Sequence, residues 1–103
     1  MSLEIIIEDK AAKDIREAND WYFQKSIQAA ANFENEIRES LEQLKTGIIE
    51  HREITQGVHV ITLSAFPSNV YYKKLTEKNI IHIVAVLHNK RNPDFVLKRL
   101  SET

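Results

Sequence analysis

Apolar positions recur along this chain in two different rhythms, and the change between them divides it into elements. Glu4-Ile5-Ile6-Ile7-Glu8 is a short β-branched run and predicts a strand. Ala11, Ile15, Ala18 and Tyr22 then follow at steps of four, three and four, the spacing of one helix face. Trp21 widens that stripe, and Asp9 stands where an N-cap is expected. A polar break at Gln24-Lys25-Ser26 leads to a second helix with Ala30, Phe33, Ile37, Leu41 and Leu44 on one side. Gly47 is placed to end it in the left-handed conformation that glycine adopts at little cost. So short a join folds the two helices back as an antiparallel pair, each stripe facing an apolar surface.

That surface is supplied by the second half of the chain, where the rhythm shortens. Residues 58–63, 70–74 and 80–88 predict three strands, separated by turns at Phe66-Pro67-Ser68-Asn69 and at residues 76–79. The last strand is apolar on both faces, Ile81, Ile83, Ala85 and Leu87 against Ile80, Val84 and Val86, which predicts a central position. It runs into a basic turn, Asn89-Lys90-Arg91-Asn92-Pro93, and Asn92-Pro93-Asp94 is a good start for a short helix through Leu100. The predicted fold is α+β in the order β-α-α-β-β-β-α. A helical hairpin packs on one face of a mostly antiparallel four-stranded sheet, in a single domain spanning residues 1–103 without repeats.

Composition adds exclusions. A chain of 103 residues is one domain, able to bury roughly 60 to 70% of its unfolded surface. The absence of cysteine removes disulfides, thiolate zinc sites and thiol nucleophiles, and fits a reducing cytoplasm. No apolar run approaches the roughly 18 residues that cross a bilayer, and Met1-Ser2-Leu3-Glu4 lacks the basic start of a signal peptide. The net charge of −1 hides a division: residues 1–52 carry seven Lys/Arg against eleven Asp/Glu, residues 53–103 seven against four. The halves are therefore −4 and +3, and the second steers anionic partners unless its lysines are merely solvated.

Candidate chemistry gathers at the end of the last strand. His88, Lys90 and Arg91 sit on a rigid platform, and Tyr71, Tyr72 and Lys73 of the preceding strand complete a candidate contact surface for a partner or nucleic acid. Plainer readings stand beside these: Lys90 and Arg91 as a solvated turn, Lys73-Lys74 as protection of a sheet edge, and Trp21 and Tyr22 as core. His82 and His88 are read on the same strand face, about 20 Å apart, too far to share an ion. His59 has no carboxylate at ligand spacing beside it and His51 reads as solvent-facing, so no metal is expected and no cofactor is implied. No glycine flanks any serine, which removes a strained serine nucleophile.

Four stretches carry a family resemblance. Ala12-Lys13-Asp14-Ile15-Arg16-Glu17-Ala18 with Asp20-Trp21-Tyr22, then residues 33–44, then Phe66-Pro67 before Val70-Tyr71-Tyr72, then Val86-Leu87-His88-Asn89-Lys90-Arg91-Asn92-Pro93 follow one another in the right order. Together they resemble the RelE/ParE superfamily, the toxins of type II toxin–antitoxin modules, often labelled plasmid stabilisation proteins. The resemblance implies a cytoplasmic bacterial toxin that inhibits growth, with no cofactor and no membrane. It also implies a cognate antitoxin whose disordered segment orders on the toxin.

The superfamily has two mechanisms. One branch enters the ribosomal A site and cleaves mRNA; the ParE-like branch poisons DNA gyrase with no known chemistry of its own. An RNase here would use His88 as acid or base and Lys90 and Arg91 as the phosphate clamp, with a hydroxyl or stacking ring from Tyr71 or Tyr72. Three features favour the ParE-like branch. The net charge of −1 departs from the strongly basic ribosome-dependent members, Phe95 beyond the basic turn has no proton to give, and Val-Leu-His-x-x-Arg-x-Pro resembles ParE-like sequences. Gyrase inhibition is the preferred reading; mRNA cleavage on the ribosome and a degenerate member that only binds a partner are the alternatives. An exposed strand edge leaves homo-oligomers open.

Overall fold

One serine sets the geometry of the amino-terminal half. The computed structural model describes residues 3–47, 51–75 and 78–102. After strand β1 (Glu4–Ile7), helix α1 (Asp9–Lys25) and helix α2 (Ile27–Thr46) leave Ser26 alone between them. Ser26 is extended at φ −170° and ψ 133°, which breaks the helix. Its N–H donates to the Tyr22 carbonyl at 2.9 Å and closes α1. Its hydroxyl accepts from the Ala29 N–H at 3.2 Å and opens α2. Gly47, at φ 67°, ends α2 by donating to the Leu44 carbonyl. Asp9, expected as the cap of α1, is instead its first helical residue. Glu8 holds the cap position, makes no side-chain capping bond, and approaches His82 Nδ1 at 3.2 Å.

Among the described residues the sheet is mixed and has five strands, in the order β1-β5-β4-β3-β2. β2 (Glu53–Thr55), β3 (Val58–Thr62), β4 (Ser68–Leu75) and β5 (Ile80–His88) form an antiparallel meander, while β1 runs parallel to β5. The α+β class and the helical hairpin agree with expectation. The four-strand count does not, because β2 is only three residues long. β4 starts at Ser68, so the turn expected over Phe66 to Asn69 is shorter, and of the turn expected at residues 76–79 the first two lie outside the described residues. Lys73 and Lys74 do not guard an edge: β4 lies third of five strands.

A bulge on β5 lets one strand serve two cores. Tyr71 pairs with Ala85 but Tyr72 pairs with Ile83, so Val84 is left without a partner. Ile81, Ile83 and Val86 face Ala11, Phe33, Ile37 and Leu44 of the helical pair. Val84, Ala85 and Leu87 face the other way, where helix α3 (Pro93–Ser101) covers them with Leu100 and the half-buried Val96. Phe33, Ile81, Ile83 and Val84 are essentially sealed from solvent, each stabilising the fold by about 1.5–3 kcal/mol. The same bulge overturns the placement of the histidines: His82 keeps the phase before it and His88 the phase after it, so they lie on opposite faces.

Candidate functional site

The basic turn is held by hydrogen bonds from backbone N–H groups, two to carbonyls and two to side chains. Asn89 N–H donates to the Pro67 carbonyl at 2.8 Å, and Arg91 N–H donates to the His88 carbonyl at 3.0 Å. Asn92 Oδ1 accepts from Asp94 N–H at 2.8 Å and caps α3, with Pro93 in the first turn, as its sequence predicts. Lys90 N–H donates to His88 Nδ1 at 3.1 Å, so the neutral His88 ring carries its proton on Nε2. The platform is rigid, but its side chains diverge.

His88 lines a cleft of about 290 Å³ together with Ala18, Trp21, Tyr22, Pro67 and Val86. Arg91 instead lies over the Phe95 ring, 4.0 Å from its centroid. It opens on a second hollow of about 300 Å³ with Lys10, Lys13, Glu17 and Arg99. Tyr71 and Tyr72 are only 5% and 4% exposed and belong to opposite cores. Neither offers a ring face to a partner, contrary to the sequence reading. Lys73 lines a third hollow, beneath α3 with Leu97 and Leu100. The expected contact surface is thus divided among two faces and three hollows, and Lys90 is exposed at the turn between them.

Sequence reasoning missed a carboxylate that ties three elements together. β1 covers β5 only as far as Ile83, leaving the upper margin of β5 open. Asp14 of α1 reaches into that gap and accepts from the Val86 N–H at 3.0 Å. It also receives both terminal nitrogens of Arg99, at 3.0 and 2.8 Å, in a fork-to-carboxylate pair that holds α3. Both side chains are 12% exposed. Asp14 belongs to the first quoted family stretch, but no spacing rule joins it to a residue 85 positions on.

The histidines of the opposite margin form a polar cluster. His51, read as solvent-facing, is half-buried, with Nδ1 2.9 Å from the Tyr72 hydroxyl. His59 stacks on the Tyr72 ring at 5.3 Å and bonds the His51 carbonyl at 2.8 Å. Burial, then the charge of nearby His59, holds the His51 pKa below the ordinary histidine value. Glu36 of α2 shows the opposite balance. Burial works against its charge, but bonds from the Ser64 N–H, the Ser64 hydroxyl and the Ala65 N–H bring its pKa below the usual carboxylate value. That carboxylate fixes the loop which carries Phe66 and Pro67 to the first cleft.

At the α1–α2 corner the prediction of a buried Trp21 fails. The ring is 55% exposed, beside exposed Phe23 and Ile27, while Tyr22 turns inward onto Phe33 and Phe66. Helical spacing places Trp21 one step off the stripe, at the rim of the cleft. Among the described residues no group of three His, Cys, Asp or Glu is placed to hold a metal ion. No described helix is long and apolar enough to cross a membrane.

The model of the family described as "ParE toxin of type II toxin-antitoxin system, parDE" matches residues 5–93. Three solved structures share the fold. One is a chromosomal ParDE toxin–antitoxin system from P. aeruginosa, with TM-score 0.70 and 21% identity, covering 84% of this chain and 96% of that one. The second is a mutant of the E. coli toxin RelE in the free state, with TM-score 0.67 and 13% identity over 99% and 98% of the two chains. The third is the intact E. coli RelBE toxin–antitoxin complex, with TM-score 0.55 and 16% identity over 87% and 100%. No curated protein matches the sequence.

Proposed function

This chain belongs to the family of ParE toxins of type II toxin–antitoxin systems, and from that membership we propose that it arrests bacterial growth by binding DNA gyrase, without chemistry of its own, and is neutralised by a cognate antitoxin. The observation that carries the choice of mechanism is the divergence of His88 from Arg91. Cleavage of RNA needs an acid or base and a fixed cation aimed at one phosphate. Here the imidazole opens on one hollow and the guanidinium on another. Tyr71 and Tyr72, the hydroxyls that could have served as acid, are buried in the two cores. What remains is a binding surface: a rigid cationic turn, two open hollows and exposed aromatic rings. The antitoxin reading is supported by neighbours solved as toxin–antitoxin assemblies and by the +3 charge of the second half, which attracts acidic segments.

Expression of the chain without its partner arrests growth under this reading. The purified protein inhibits supercoiling by gyrase and leaves ribosome-bound message intact. Cleaved message with undiminished supercoiling would establish the ribonuclease instead, and neither effect would leave a protein that only binds.

A further inference from the structure

Either edge of a sheet can receive another strand, and the two edges of this one differ. β2 is three residues long, and its register with β3 slips between Glu53 and Thr55, which blunts that side. β1 has neither defence: Glu4–Ile7 pairs with β5 in unbroken register and carries no lysine or proline. Among the described residues no strand pairs with its other side. The Glu4 and Glu8 N–H groups donate inward, to the Asn79 and Ile83 carbonyls at 2.9 and 3.0 Å. Alternation therefore points the N–H and carbonyl groups of Ile5 and Ile7 outward.

That edge opens on a hollow of about 410 Å³. Ile5, Ile7, Ile15, Ile37 and Leu41 give it an apolar lining, and Ile7 is 40% exposed. Its rim along α2 alternates in charge: Glu34, Arg38, Glu42, Lys45. Reversed, the row reads Lys45, Glu42, Arg38, Glu34, and every position then meets its opposite. A two-fold axis makes that reversal, because it sets residue i against j and j against i. An unrelated partner gives no reason for a row that complements itself. Within one copy Lys45 touches Glu42 at 3.1 Å and Arg38 bonds Asn35 at 2.9 Å, exposed contacts of little worth that leave the row free to pair.

One axis serves both the row and the strand. The Leu3 N–H, at the start of β1, donates to the Lys45 carbonyl at the end of α2, at 2.8 Å. Five residues back along the helix is about 7.5 Å, and two residues on along the strand is about 6.6 Å, so the midpoint of the charges lies level with Ile5. A register centred on Ile5 sets Glu4 opposite Ile6 of the copy; one centred on Ile6 would set it against Glu8.

We infer that the outer edge of β1, with the α2 row beside it, is the interface of a symmetric dimer whose other half is a second copy of this chain. The two β1 strands pair antiparallel through Ile5 and Ile7 and join the sheets into one. Glu34 and Arg38 of each copy meet Lys45 and Glu42 of the other. The interface shares no lining residue with the His88 cleft and holds whatever the target of the chain.

Sedimentation equilibrium of the purified chain, from low to high micromolar, reads the association. The parent passes from single to double mass across that range, and high salt weakens it. Ile7→Lys puts a charge on the open edge, and Arg38→Glu or Glu42→Arg sets like charges across the axis; each weakens association by at least about tenfold. Mixed in equal amounts, the Arg38→Glu and Glu42→Arg chains associate again, because the acidic centre of one row then faces the basic centre of the other. A parent that stays single throughout would overturn the inference and give the edge to a different strand. A dimer indifferent to Ile7→Lys and to both charge reversals would overturn it too, as would a mixture that stays single. If circular dichroism shows Ile7→Lys unfolded, the charge reversals and their mixture decide alone.

Discussion

Asp14→Ala is the most informative single change to the fold, because its cost can be built from the contacts it removes. The carboxylate accepts two bonds from Arg99 and one from the Val86 N–H, and both charged side chains are 12% exposed. Removing one partner of a buried pair costs about 3–5 kcal/mol, and an orphaned buried N–H about 1–3 kcal/mol. The pair sits at the sheet margin, where water can reach a freed guanidinium, so the charge's share falls below that range, to about 2 kcal/mol, and with about 1 kcal/mol for the N–H the total is about 3 kcal/mol. A chain of this size has roughly 5–15 kcal/mol of stability, so the variant still folds. With a urea slope near 1.5 kcal/mol per molar, the midpoint falls by about 2 M. Replacing the pair together, Asp14→Ala with Arg99→Met, removes the stranded charge, so the double variant is about 2 kcal/mol better than the sum of the singles. Urea unfolding of the four proteins closes the cycle. A single-variant cost under about 1 kcal/mol, or strict additivity, would show that α3 is not held by this pair.

Two further outcomes follow from contacts elsewhere in the fold. His51 has a lowered pKa in the folded chain, so the unfolded chain binds the extra proton more readily. Its contribution is therefore present above the unfolded value near 6.5 and lost as pH falls through the folded value; urea midpoints at pH 5 and 7.5 differ less in His51→Gln than in the parent. Ser26→Ala removes the side-chain cap of α2 while leaving the backbone bond to Tyr22, at a cost of about 1 kcal/mol read from the thermal midpoint.

The elements that could be read from sequence were those whose signal is local. Gly47 and the Asn92-Pro93 pair each act on their own few residues, and the structure uses both as expected, while the polar break read over Gln24-Lys25-Ser26 narrows to Ser26 alone. What escaped depended on partners far along the chain. β2 is three residues without a usable alternation, and it exists because β3 offers it an edge. His51 became half-buried because Tyr72, 21 positions away, receives it. Trp21 and Tyr22 are adjacent in sequence and both aromatic; the stripe runs through Tyr22, and Phe33 and Phe66 receive it, which leaves Trp21 outside. Of the candidate site, the rigid turn was legible, but the directions of its side chains were not. A strand apolar on both faces gives no sign of where its alternation slips, and that slip sends His88 to one side of the sheet.

That slip also decides on which side the chain finishes. Every residue after Val84 inherits its orientation from one unmatched position, including the turn that launches the terminal helix. Deleting a single codon there would restore strict alternation, invert Val86, Leu87 and His88 together, and aim Arg91 and the final helix at the layer already filled by the hairpin. The spacing between Ile83 and Val86 therefore governs the placement of everything beyond it, whatever side chains stand within it.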